Sequence, residues 1–176
     1  MPMPGKDELK ALLLREPRRT LAVAESMTCG HLQACIGAIS GASEFFLGGI
    51  TVYTLDEKVR HLGVERAAAQ AVNSVSAVVA EQMARGACVL FGSDFALATT
   101  GYAEPSAEWK VTAPFAWWAL AHAQKSPQTD STRGETFIVR SGRIEGPGLA
   151  RVAMQELVAK RALEELVDYL RAERAG

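Results

Sequence analysis

Short apolar runs alternate along the chain with stretches whose apolar residues recur every three or four positions, a pattern that predicts strands exchanging with helices. A short helix is predicted around Asp7 to Arg15, followed by a buried strand over Thr20 to Ala24 with its β-branched Val23. Leu32, Cys35, Ile36 and Ile39 then recur at helical spacing. The polar ESMTCG segment between them therefore joins a strand end to a helix N-terminus, the place where α/β proteins put chemistry.

Ser40 to Ser43 signals a turn, and Phe46 to Tyr53, with Gly48 and Gly49, reads as an extended segment in which glycine permits close backbone approach. Thr54 and Glu57 stand at capping-box spacing, so a helix starting at Thr54 would carry Lys58 in its first turns. Ser76 to Ala87 has helical periodicity, and Phe95 to Thr100 is a strand ending at Thr100 and Gly101. Beyond it a loop over Pro105 to Thr112, a strand over Pro114 to His122, a polar loop over Lys125 to Arg133 and a short strand over Thr136 to Val139 are expected. The last element is a long helix with Leu163, Leu166, Val167 and Leu170 on one stripe. Together these predict an α/β fold: a single layered domain with a mixed central sheet flanked by helices.

At 176 residues the chain fits one domain, with its core over about 12–170 and a flexible tail over 1–6. With 19 basic and 20 acidic residues the net charge is −1, which lacks the broad positive field of a nucleic-acid binder. No apolar run approaches the roughly 20 residues that cross a bilayer, and the charged MPMPGKDELK start is unlike a secretory segment; a cytoplasmic, membrane-free protein is expected. Cys29, Cys35 and Cys88 form no C-x-x-C pair, and His31, His61 and His122 share no ligand spacing, so neither a disulfide framework nor a metal site is expected.

Ser26 is the candidate nucleophile: it follows the first strand, and Thr28, Gly30 and a helix come after it, which would set its hydroxyl beside free backbone N–H donors. The alternative is that Ser26 or Thr28 caps the helix. A serine needs a base, and with no histidine in a triad context Lys58 is the candidate; at its reference pKa a lysine is neutral only about once in 10³ molecules at neutral pH, so that role demands desolvation. Otherwise Lys58 is a solvated helix residue. Tyr53 either steers the amine or donates to a ligand, or it packs at the core edge. Thr100 and Gly101 either close the pocket or make a turn. Glu25 either orients polar neighbours or satisfies loop N–H groups. Cys29 is a rival nucleophile without a partner base. Trp109, Trp117 and Trp118 are candidates for ring stacking, with one of the Trp117–Trp118 pair pointing inward.

AESMTCG, SGASEFFLGGITVYTLDEKVRHLGV, NSVSAVVAEQMARGA and TTGYAEP, in that order between about Leu12 and Leu170, resemble the CinA C-terminal domain family, also described as the nicotinamide mononucleotide amidohydrolase family. The resemblance implies hydrolysis of the carboxamide of nicotinamide mononucleotide to the acid with release of ammonia, without metal or organic cofactor. It places Ser26 on the nucleophile, Lys58 on its partner, Tyr53 on the associated tyrosine, and Thr28, Gly30, Thr100 and Gly101 on motif positions; with Glu25 and Arg151, these last four are the expected substrate-binding residues. Under it, N–H groups of Thr28 to Gly30 would stabilise the oxyanion. A small-molecule nucleotide partner and a homo-oligomer, a dimer foremost, are implied as well.

The chain also departs from the family pattern. Cys29 replaces a glycine, Glu104 stands where glycine is usual, and Leu149 and Ala150 replace a Gly-Asp pair before Arg151, the counterpart of a family arginine. Gln155 replaces a second arginine. Under the resemblance these positions would shape the surroundings of a phosphate-bearing ligand, so a paralogue of altered specificity, or one that only binds a nucleotide or another protein, is the alternative reading.

Overall fold

The computed structural model describes residues 6–124 and 136–175; the expected N-terminal tail and the polar loop after Gln124 fall largely outside them. In chain order the elements are α1 (Lys6–Leu14), β1 (Leu21–Glu25), α2 (His31–Gly37), a 3-10 turn (Ala42–Glu44), β2 (Phe46–Thr51), α3 (Leu55–Leu62), α4 (Arg66–Ala71), α5 (Ala77–Phe91), β3 (Phe95–Tyr102), β4 (Phe115–Gln124), β5 (Thr136–Glu145) and α6 (Arg151–Ala175). The strands form one mixed sheet in the order β2-β1-β3-β4-β5, with β1 parallel to β2 and β3, and β4 antiparallel to β3 and β5. The predicted α/β layering is the observed one.

The two faces of the sheet are unlike because side chains alternate along each strand. Leu21 and Val23 of β1, Phe95 and Leu97 of β3, and Trp118 and Leu120 of β4 share one face, in a core completed by Leu9, Leu13, Leu32, Ile36 and the α6 stripe Leu163, Leu166, Val167 and Leu170. The opposite face carries Ala22, Ala24, Ala96, Ala98, Ala119 and Ala121. A surface of methyl groups lets a helix lie close, and α5, itself lined with Ala80, Ala84 and Ala87, packs there. Because both faces are covered, both tryptophans of the pair find packing, Trp118 against the α6 side and Trp117 at the edge of the α5 side. As expected, one of the pair lies in the core: Trp118 is buried, and Trp117 is only partly so.

Three differences have local causes. The helix α4 was not anticipated: its RAAAQA sequence lacks an amphipathic stripe, and it is started by the Glu65 carboxylate, which accepts from Ala67 N and Ala68 N. Strand β5 runs to Glu145, well past Val139. It lies at the sheet edge, where a full ladder to β4 needs no apolar outer face. Finally, Thr100 and Gly101 lie inside β3, paired with Trp117 and Ala116, and not in a turn after it.

This topology fixes where a site can be. Because β1, β2 and β3 are parallel, Glu25 lies level with Thr51 on one side and Thr99 on the other, so three carboxyl ends meet at one edge. The chain leaves β1 through α2 towards the large-residue face and leaves β2 towards α5 on the alanine face. Such a divergence opens a crevice beyond the strand ends.

Candidate active site

A cavity of about 670 Å³ occupies that crevice, within the range of small-molecule sites. Ser26, Lys58, Tyr53, Thr100, Gly101 and Arg151 line it. Glu25, Thr28 and Gly30, expected to touch a ligand, stand behind its wall.

The Ser26 turn is built from the strand outward. Ser26 N donates to Thr99 O of β3 (3.0 Å), and Ser26 O accepts from Cys29 N (3.2 Å), closing a tight turn. Glu25, fully buried, then turns its carboxylate towards α2: Oε2 accepts from Gly30 N (2.9 Å) and Leu32 N (3.0 Å), and Oε1 from Gln33 N (2.9 Å). These are N–H groups that the start of a helix leaves unpaired, and an anion there also complements the helix dipole. The cap of α2 is therefore Glu25, which leaves the Ser26 hydroxyl free for another partner. Thr28 Oγ1 pairs with Thr99 Oγ1 at 2.7 Å in the interior, and Gly30 has a φ of 100°, a conformation that glycine adopts without steric penalty.

This arrangement narrows the expected oxyanion donors. Gly30 N is committed to Glu25 and Cys29 N to Ser26 O. Within the turn, the N–H groups of Met27 and Thr28 have no partner among the described residues, and of the two only Met27 lines the cavity.

Lys58 reaches the site from α3. Thr54 is the N-cap, its side chain accepting from Glu57 N, and Val52 N is pinned to Glu25 O at 2.8 Å, so the chain between β2 and α3 is held at both ends. The reciprocal half of the capping box is absent, because Glu57 turns its carboxylate to Arg60 Nη1 and His61 Nε2. Lys58 and Leu62, one turn apart, are the buried residues of α3. At 2% exposure, Lys58 is almost wholly removed from water.

Its Nζ lies 3.0 Å from Ser26 Oγ, 3.0 Å from Val52 O and 3.2 Å from Tyr53 O. No carboxylate is paired with it among the described residues. Burial disfavours the charged amine and pulls its pKa from 10.5 to about 8. The three contacts suit both protonation states. As a cation, Nζ donates to all three oxygens; as a neutral amine, it donates to the two carbonyls, and its lone pair is left facing the Ser26 hydroxyl.

The Tyr53 side chain does not steer the amine; its backbone carbonyl does. The phenol is 55% exposed and its oxygen accepts from Arg151 Nη1 at 3.4 Å. Arg151, the first residue of α6, grips Glu104 with both forks, Nη2 to Oε1 and Nε to Oε2. This pair holds the Glu104 carboxyl below its usual range and raises the Arg151 guanidinium.

The far wall comes from β3 and from the segment before α5. Thr100, buried, donates from Oγ1 to Ser74 O at 2.7 Å. A Cβ on Gly101 would stand 2.5 Å from Phe115 O and 2.6 Å from Ala116 Cα, so glycine is what admits β4 at that level. Asn73 and Ser74 both have positive φ, 50° and 60°, a strained geometry that clusters at functional sites. Asn73 also donates from Nδ2 to Tyr102 Oη at 3.0 Å. Asn73, Ser74, Gln70 and Tyr102 line the cavity but were not singled out from sequence. Asn73, of a type that tolerates positive φ, was the available signal. Trp109 stands at the same cavity, 39% exposed.

The family model described as the CinA C-terminal domain matches residues 6–170. The chain belongs to that family. It is similar to a CinA-like protein of Picosynechococcus sp., 48% identical over 96 residues, which are 54% of this chain and 23% of that protein. A CinA-like protein of Chlorobium phaeobacteroides is 39% identical over 121 residues, 69% of this chain and 28% of that one. The matches thus span about a quarter of the length of these curated relatives. Among solved structures, the competence damage-inducible protein A of Klebsiella pneumoniae superposes with a TM-score of 0.77 at 26% identity, covering 94% of each chain. The competence or damage-inducible protein of Enterobacter asburiae gives 0.78 at 23% identity over 94% of this chain and 95% of that one, a likeness of fold.

Within this CinA-family domain the departures now have physical places. Cys29 takes up a φ of 48° and is exposed, the conformation that a glycine would occupy without penalty. Gln155 does not face the cavity: buried, it donates from Nε2 to Met27 O at 2.9 Å and so ties α6 to the Ser26 turn. Ala150 O accepts the first turn of α6 from Met154 N. Glu104 alone introduces a new charge into the cavity. Among the described residues no three His, Cys, Asp or Glu side chains group as a metal site, and no helix is long and apolar enough to cross a membrane.

Proposed function

We propose that this domain is an amidohydrolase that cleaves the carboxamide of a nicotinamide nucleotide or nucleoside, with Ser26 as nucleophile and Lys58 as its base. The observation that carries this reading is the buried Lys58 Nζ, 3.0 Å from Ser26 Oγ, with a pKa lowered to about 8. At pH 7 about one molecule in ten then holds a neutral amine, against roughly one in 10³ or fewer for an ordinary lysine. Two carbonyls orient that amine, as an aspartate orients the histidine of a serine-protease triad.

In the first half-reaction neutral Lys58 takes the Ser26 hydroxyl proton as Oγ bonds to the amide carbon. The developing oxyanion is met by the N–H of Met27, the residue after the nucleophile, a donor position shared with strand-to-helix nucleophile turns. The Lys58 ammonium then protonates the departing amine, and ammonia leaves an acyl ester on Ser26. In the second, Lys58 deprotonates a water, which attacks the ester; the acid departs and the proton returns to Ser26 Oγ. The family identity and the aromatic Trp109 at the cavity support a ring-bearing carboxamide as substrate.

Purified protein incubated with nicotinamide mononucleotide and with nicotinamide riboside is expected to release ammonia from at least one of them. Ser26→Ala is expected to lower that release by at least about 10³-fold. Undiminished turnover in Ser26→Ala rejects Ser26 as nucleophile, and ligand binding with no ammonia from the intact protein leaves a binding role in place of an enzyme.

A further inference from the structure

Three charged side chains line the cavity among the described residues: Lys58, Glu104 and Arg151. Lys58 is committed to Ser26 and two carbonyls. Arg151 is the remaining cation, and all three of its guanidinium nitrogens are engaged. Nη2 and Nε meet the two carboxylate oxygens of Glu104, and Nη1 meets Tyr53 Oη. The planar fork that would hold a phosphate bidentately already holds a carboxylate in that geometry.

We infer that Glu104 is a specificity-determining residue that makes this site favour a carboxamide without a phosphate, a nucleoside rather than a nucleotide. Besides Lys58, held at the buried end by Ser26 and two carbonyls, a phosphate entering the cavity finds no cation but Arg151, and there it is repelled by a carboxylate of its own sign that already neutralises the guanidinium. The pair is internally neutral, so an uncharged ribose hydroxyl loses nothing beside it, and the positive ring of a pyridinium nucleoside meets no net repulsion. The Glu104 side chain is 56% exposed, so its replacement leaves the core untouched. The identity of the carboxamide rests on the amidohydrolase reading; the exclusion of phosphate rests on the Glu104–Arg151 pair.

Calorimetric titration separates the two when turnover is removed by Ser26→Ala. With Glu104 in place, nicotinamide riboside is expected to bind at least as tightly as nicotinamide mononucleotide. Adding Glu104→Gln, which keeps the shape and removes the charge, is expected to tighten the mononucleotide tenfold or more while moving the riboside by less than threefold. Glu104→Asp is expected to keep the original ratio. A mononucleotide bound tenfold tighter than the riboside with Glu104 present overturns the inference. So does a ratio unchanged by Glu104→Gln, including failure of both ligands to bind in either background. Ammonia release by the protein with Ser26 intact tests the amidohydrolase reading separately, since the binding preference can hold where no ammonia is formed.

Discussion

Lys58 and Arg151 line the same cavity and carry the same formal charge, yet their surroundings drive them in opposite directions. Lys58 lies at the buried end, among carbonyl and hydroxyl oxygens and without a counter-ion among the described residues, and desolvation lowers its pKa. Arg151 lies at the open end, 46% exposed, paired with Glu104, and its pKa is raised. Burial without a counter-ion favours the neutral amine of Lys58, whereas a paired carboxylate holds the Arg151 guanidinium charged. The difference is one of placement: Lys58 sits on the inner face of a helix that β1 and β2 hold down, whereas Arg151 opens α6 opposite a loop carboxylate.

Lys58→Arg breaks this contrast most sharply. Arginine keeps the charge but is never neutral in the accessible pH range, so it can fill the space and cannot take the serine proton. Turnover is expected to fall by about 10²–10⁴-fold, the usual worth of a general base, and Lys58→Met is expected to fall as far. Steady-state ammonia release checks both, and retention of more than a tenth of the activity in Lys58→Arg removes the base role from Lys58.

The next effect is a pH dependence that belongs to the buried end alone. Under the proposed mechanism only neutral Lys58 acts as base, so kcat/KM is expected to rise through a midpoint near the lowered pKa of about 8, gaining about tenfold between pH 7 and 9. Stability follows the same group with a definite sign. Between about 8 and 10.5 the unfolded chain still binds a proton that the folded site has released, so stability rises with pH across that window. Below about 8 both states are protonated, and this contribution no longer varies. Chemical denaturation at pH 8 and pH 10 measures the rise, which Lys58→Met is expected to abolish; a flat rate profile from pH 7 to 9 contradicts the desolvated base.

How much of this was legible in the sequence depended on whether a residue's role was set locally. The strand–ESMTCG–helix order, the Thr54 cap and the α6 stripe follow from periodicity and side-chain chemistry within a few positions, and each is in place. Ser26 and Lys58 could be named separately, but their 3.0 Å contact depends on β1 and β2 being neighbours, which no local signal carries. Glu25 shows the limit from the other side. Its two readings, orienting polar neighbours or satisfying N–H groups, differ only in where the carboxylate turns, and α2 took it. At Asn73 and Ser74 the asparagine is a weak sign of a positive φ, but nothing in the composition marks that the serine after it shares that conformation or that the two face the cavity. Glu104 and Arg151 are each visible in the sequence against the family pattern; their pairing across 47 positions is visible only in three dimensions.

The smallest expected effect lies where the two ends of the cavity meet, at Tyr53. Its carbonyl belongs to the buried end and orients Lys58 at 3.2 Å, while its phenol belongs to the open end and touches Arg151 at 3.4 Å. Tyr53→Phe keeps the carbonyl and deletes only the long contact to an arginine that Glu104 already holds. We therefore expect kcat to change by less than about threefold, within the worth of one exposed hydrogen bond, and the midpoint near pH 8 to stay in place. KM is expected to carry whatever loss occurs, because the phenol lines the mouth and not the reacting pair. Measuring kcat, KM and the pH midpoint on this one variant decides the matter: a kcat loss above about 10²-fold, of the size general acid–base groups give, makes the phenol a participant in proton transfer and erases the division between the two ends.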